Sequence, residues 1–164
     1  MDIRPERPGD KAAIAALTTA AFLTAPHSDG TEADIIARLR AAGALSLSLV
    51  AVDGARIIGH AAFSPVTIAG GDQGWMGLGP VSVRPARQGR GTGAALIRDG
   101  LARIGAAGAG GCVVLGDPGY YQRFGFAALP GLTLPGLPAG YFMALPFKAP
   151  PPQGEVAYHP AFAG

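Results

Sequence analysis

The chain has 164 residues, 49% hydrophobic and 15% charged, which fits one compact domain (residues 1–164) and excludes an intrinsically disordered chain. A formal net charge of +2 is too weak for a nucleic-acid binder, and one cysteine excludes a disulfide framework and points to a reducing compartment. No secretory h-region follows the opening Met-Asp-Ile-Arg-Pro, and no apolar stretch reaches ~18 residues, so a cytoplasmic protein without a membrane role is expected.

Asp10, after Pro8-Gly9, is placed to cap a first helix whose inward stripe is Ile14, Leu17, Ala21 and Phe22. A polar loop, residues 24–30, leads to Thr31-Glu32-Ala33-Asp34, a capping box. The helix that follows turns Ile35, Ile36 and Leu39 inward and stops at Gly43. Leu45, Leu47, Leu49 and Ala51 alternate with serines and Val50, the pattern of a half-buried strand. Asp53-Gly54 is a hairpin signal, with a partner strand over about 56–63. Gly70-Gly71-Asp72 turns the chain into a strand over about 75–83, completing an antiparallel meander. Gly77, Gly79 and Pro80 are unusual in a central strand and mark a bulge or a close backbone approach. A helix striped with Ala94, Ile97, Leu101 and Ile104 then crosses to an apolar strand at 112–115, expected to run parallel to its neighbour. Beyond a Pro/Gly-rich stretch, 130–140, a strand at 141–147 and a closing segment at 155–158 complete the sheet.

The chemistry concentrates in residues 81–93, where Val81 and Val83 end a strand, a basic turn follows, and Gly89, Gly91 and Gly93 alternate before the helix. Glycines let the backbone turn sharply and admit a ligand without meeting a Cβ. The first N–H groups of the helix have no internal partners and, with the helix dipole, form an anion site suited to a pyrophosphate. Arg84, Arg87 and Arg90 add positive charge around this turn. A nucleotide-triphosphatase loop fails because no lysine is near. A dinucleotide fingerprint matches at Gly89, Gly91 and Ala94, followed by an acid, Asp117, although residues including Pro85 intervene between Val83 and Gly89. Both a dinucleotide and another pyrophosphate-bearing cofactor fit this turn.

Gln88-x-x-Gly91-x-Gly93, with Leu78-Gly79-Pro80-Val81-Ser82-Val83 before it and Tyr121-Gln122-Arg123-Phe124-Gly125-Phe126 downstream, resembles the signature of the GNAT superfamily of N-acetyltransferases. Gly116-Asp117-Pro118-Gly119-Tyr120-Tyr121 and Tyr158-His159-Pro160-Ala161-Phe162 are similar to a bacterial subfamily of largely uncharacterised acetyltransferases. The resemblance implies a mixed α/β fold. An antiparallel meander joins a parallel strand pair splayed around a coenzyme A site, with helices on both faces. It implies acetyl-CoA as acetyl donor, with Val81, Ser82, Val83, Gln88, Gly89, Arg90, Gly91, Thr92, Gly93 and Ala94 as binding residues. It also implies direct transfer of the acetyl group to a primary amine. The acceptor is a small-molecule or peptide amine bound between the loops at 23–31 and 129–140. A homodimer is compatible with this reading. The alternatives are a non-catalytic acyl-CoA-binding regulatory module and a dinucleotide-binding oxidoreductase.

Acetyl transfer needs a deprotonated amine, a polarised carbonyl and a quenched thiolate. Tyr121 occupies the family's position for the acid that quenches the thiolate; its neighbour Tyr120 is expected to face away. Asp117 stands in a shortened turn where the family usually has an asparagine. For the base, the strand Trp75-Met76-Gly77-Leu78 carries no acid. His60 is a candidate through its ordinary pKa, Glu32 is another on the second helix, and a water relay would need neither. His27, His60 and His159 have no metal-ligand spacing with Cys112, so no metal is expected.

Overall fold

A computed structural model describes residues 1–26, 28–138 and 140–163. The chain runs β1 (Asp2–Pro5), α1 (Lys11–Phe22), α2 (Glu32–Ala41), β2 (Leu47–Asp53), β3 (Arg56–Ile68) and β4 (Gly71–Val83). It continues through α3 (Thr92–Ala106), β5 (Gly111–Leu115), α4 (Pro118–Tyr121), β6 (Leu132–Thr133), β7 (Phe142–Pro146) and β8 (Gly154–Ala157). The sheet order is β1-β2-β3-β4-β5-β7; along it only the β4–β5 pair is parallel. No helix among the described residues is long and apolar enough to cross a membrane.

Helices cover both faces. Ile14, Leu17 and Ile36 of α1 and α2 pack on Val50 and Ile57. Leu96, Ile97, Leu101 and Ile104 of α3 pack on the other face against Leu49, Ala51, Phe63 and Val114. Each such buried aliphatic side chain contributes about 1.5–3 kcal/mol of apolar burial. Leu49 and Val50 therefore enter opposite cores, and β2 is covered on both sides rather than half-buried as its alternation suggests. Gly100 lets α3 settle onto the sheet, because a Cβ there would lie 2.2 Å from the Phe63 ring. Leu96, absent from the expected stripe, is fully buried, while Ala94 is only partly so.

Three local expectations change. Thr31 precedes α2 without a side-chain cap; its hydroxyl bonds Asp29 instead, so the capping box does not form. Asp10 likewise gives α1 no side-chain cap, since Arg4 and the Arg7 amide occupy its carboxylate. The β3–β4 turn is Ala69-Gly70, both with positive φ, so both strands run longer than expected. The closing segment does join the sheet: β8 pairs with the far end of β3 at Thr67 and Ile68 and carries the short β6.

Candidate active site

The parallel pairing of β4 with β5 begins at Trp75 and Gly111 and ends at Leu78 and Val114. Beyond that point β4 stays on β3 as far as Val83, while β5 stops at Leu115. The cause is a bulge: Phe63 faces Leu78 and Ala61 faces Val81, so β4 spends one extra residue around Gly79 and Pro80. A bulge bends the strand that carries it, and Pro80 has no N–H to donate. The two parallel strands thus splay into a wedge.

The backbone along its β4 wall is open. Arg84 donates its N–H to the Ile58 carbonyl at 2.8 Å, which fixes the antiparallel alternation. Ser82 pairs with His60, and Val81 and Val83 turn their N–H and C=O groups into the wedge. The Ser82 side chain points to the opposite side of the strand, where its Oγ lies 3.2 Å from Thr18 Oγ1 on α1. Gln88 folds back so that its Nε2 donates to the Val83 carbonyl at 3.1 Å, bracing the turn.

At the wide end lies the glycine turn. Gly89 and Gly91 have φ of 78° and 82°, conformations that L side chains rarely adopt. Gly91 precedes α3, and the first bond of this turn runs from the Ala95 amide to the Gly91 carbonyl at 3.0 Å. The amides of residues 89–94 have no acceptor among the described residues. They surround a concavity of about 280 Å³ that Val83, Gln88, Gly89, Gly91, Thr92, Gly93 and Ala94 line together, with Arg87, Tyr120 and Arg123. Of the three arginines expected there, Arg84 bonds the Ile57 carbonyl and Arg87 pairs with Asp53 at 2.6 Å. Arg90 is exposed and does not line the concavity. Arg123, which the sequence reading passed over, reaches it from beyond α4, its guanidinium 4.4 Å from the Tyr120 ring centroid. Tyr120 does not face away: an ideal Cβ on Gly93 would sit 3.6 Å from its hydroxyl.

At the other end the wedge opens into a cavity of about 470 Å³. It is lined by Phe22, Glu32 and Ile35 from α1 and α2, by residues 78–81 and Leu115 from the two strands, and by Tyr121, Tyr158 and Phe162. Asp117 sets the position of Tyr121 by accepting the Gly119 amide at 2.9 Å and starting α4. The Tyr121 ring packs edge-on against Phe126, with centroids 6.1 Å apart. Burial, with Tyr120 adding, pushes its phenol up to about 12, so it is a neutral donor at pH 7. Tyr158 lies across Gly77, where a Cβ would be 2.6 Å from its ring, and its buried hydroxyl has no partner among the described residues. Burial raises its pKa as well. The closing motif Tyr158-His159-Pro160-Ala161-Phe162 marked Tyr158 only as part of a resemblance; the pairing of β8 with β3 is what brings it here.

His60 is not brought to this cavity. It is fully buried on the α1 side of the sheet, with Nε2 2.7 Å from Ser48 Oγ, itself bonded to Glu6. Burial lowers its pKa to about 4; Glu6 opposes this and Arg40 adds to it. The folded value lies below the ordinary 6.5, so the stability held by neutral His60 is complete above pH 6.5 and is lost as pH falls through about 4. His60→Gln is therefore expected to flatten the acid side of the stability profile in that window while changing turnover at neutral pH only modestly. Denaturant unfolding at a series of pH values, with a parallel rate assay, measures both. A fall of about a thousandfold in kcat/KM with folding intact would return His60 to the chemistry. Cys112 is fully buried and its thiol is pushed up by burial, so it is no nucleophile. His159 accepts the Ala161 amide, and His27 lies outside the described residues. Among the described residues no group of three or more His, Cys, Asp or Glu could hold a metal ion.

A splayed parallel pair, an amide-lined turn at a helix N-terminus and a cavity between them define an acyl-coenzyme A-type transferase fold. Residues 2–129 match the family described as acetyltransferase (GNAT) domain, and the chain belongs to that family. It is 41% identical over 127 residues to the uncharacterised N-acetyltransferase YhbS of Escherichia coli K12, spanning 77% of this chain and 73% of that protein. A Brucella melitensis GNAT family acetyltransferase, crystallised with acetyl-CoA, is 54% identical with a TM-score of 0.89, covering 98% of this chain and 97% of that one. The Escherichia coli YhbS structure with CoA is 33% identical with a TM-score of 0.90, covering 99% and 92%. The expected fold class holds, and the dinucleotide reading of Gly89, Gly91 and Ala94 gives way to the family's own turn.

Proposed function

We propose that this chain transfers an acetyl group from acetyl-CoA to a primary amine by direct attack, with no acyl-enzyme. The observation that carries the proposal is the continuity of the amide-lined turn, the open wall of β4 and the cavity at Tyr121. The fit to coenzyme A is good: an anion meets the unpartnered amides of residues 89–94, and an extended amide-bearing arm meets the open backbone of Val81 and the N–H of Val83. The crystal structures of two relatives, with acetyl-CoA and with CoA, support the same choice of ligand.

Acetyl-CoA supplies an activated thioester when bound. The N–H groups along the β4 bend polarise its carbonyl, and the amine nitrogen forms the new C–N bond as the C–S bond breaks. Tyr121 gives its hydroxyl proton to the departing sulfur and regains one from solvent. The burial that raises the phenol also makes the thiolate more basic, so the two remain matched. The proton lost by the amine leaves through water in the cavity, with no role for His60. The acceptor is a small-molecule or peptide amine, and the work is done in the cytoplasm by a monomer or homodimer.

Acetyl-CoA at a hundred times its Kd is expected to stabilise the fold by about 2.7 kcal/mol, read as a rise in Tm, and NAD at equal concentration by far less. Turnover against a panel of amines completes the test. Stabilisation without acetylation of any amine would favour a non-catalytic acyl-CoA-binding module; stabilisation by NAD alone would overturn the proposal.

A further inference from the structure

We infer that Glu32 anchors the ammonium group of the acceptor, and that the acceptor is an alkyl or aryl-alkyl amine lacking a carboxylate. The inference rests on the acetyltransferase reading of the cavity and adds the class of molecule that fills it. Glu32 is the one charged side chain among the described residues that line the cavity. Ser28 Oγ donates to its Oε1 at 2.8 Å, which aims the carboxylate and leaves Oε2 with no partner among the described residues. A glutamate in the first turn of a helix also complements the helix dipole, but that interaction needs no cavity. Here the same side chain faces residues 78–81 and Tyr121, where transfer takes place.

Tyr158 lines the cavity with its ring, whereas its hydroxyl is buried, has no partner among the described residues and is closed to a ligand in the cavity. The charge partner of an ammonium in this cavity is therefore Glu32. The remaining walls are apolar: Phe22, Ile35, Pro80, Phe162 and Leu115, the last 44% exposed at the rim. They suit a hydrocarbon or aromatic body. No lysine, arginine or histidine is among the described residues lining the cavity, so among them an acceptor carboxylate finds no cation and faces Glu32.

Isothermal calorimetry of the full chain saturated with CoA, titrated with 2-phenylethylamine and with L-phenylalanine, tests this. The two probes differ by one carboxylate. The amine is expected to bind at least about tenfold more tightly than the amino acid, and Glu32→Gln to weaken the amine at least about tenfold with CoA affinity unchanged. Equal affinity for the two probes, unchanged amine binding in Glu32→Gln, or no amine binding to CoA-loaded protein would each overturn the inference. The comparison of the two probes on the unaltered chain decides even if the variant does not fold. Failure of CoA itself to bind would instead overturn the acetyltransferase reading and this inference with it.

Discussion

Tyr121→Phe is expected to lower kcat by about 10²–10⁴-fold while the KM for acetyl-CoA stays nearly constant. The ring carries the packing, against Phe126 and the Gly116 backbone, whereas the hydroxyl bonds nothing among the described residues. Removing it should leave Tm unchanged. Its effect falls in the transition state, as charge builds on sulfur, and is therefore a rate effect rather than an affinity effect. Tyr120→Phe is the control, with a different signature. Because the Tyr120 hydroxyl stands at the turn beside Gly93, its loss should appear in the KM for acetyl-CoA with little change in kcat. Steady-state kinetics of both variants with one accepted amine separates the two roles. Equal activity of Tyr121→Phe and the unaltered chain would remove this residue from the mechanism.

Gly91→Val is expected to weaken coenzyme binding at least about tenfold, the loss of one charge-assisted hydrogen bond or more. The reason is conformational. An ideal Cβ on Gly91 meets nothing within 4 Å, but φ is 82°, where a β-branched residue is strained, so the turn must rearrange and its amides lose their aim. Gly93 differs, although the sequence places it in the same motif. Its φ is not positive, and a Cβ would find ordinary contacts at 3.6 Å with Val83 and Tyr120. Gly93→Ala should therefore fold normally and show whatever loss it has only in the presence of ligand. Calorimetry with acetyl-CoA, on variants shown by circular dichroism to be folded, measures both. Unchanged affinity in Gly91→Val would mean that the anion site lies elsewhere.

The turn, and with it the family, was legible in the sequence because its requirements are local. Left-handed glycines, an amphipathic stripe and a strand interrupted by Gly79 and Pro80 each follow from a few neighbouring residues. The hairpin at Asp53-Gly54 and the helix stop at Gly43 are legible for the same reason. Local reasoning went astray where a side chain had two partners available. Thr31 turned back to Asp29 rather than capping α2, and Asp10 took Arg4.

Local sequence alone determined the amide-lined turn, the splayed strand and the meander, since period and backbone conformation are properties of short segments. Tertiary structure alone decided which ionisable groups share the reaction cavity. His60 and Ser82 sit on neighbouring strands of the motif, yet the alternation of side chains turns both toward the α1 side of the sheet. Glu32, Tyr121 and Tyr158, far apart along the chain, meet around one cavity because the first turn of α2 lines it together with the β4 bend and β8 returns to β3. Periodicity records only the face a side chain takes; what it meets there depends on which distant element covers that face.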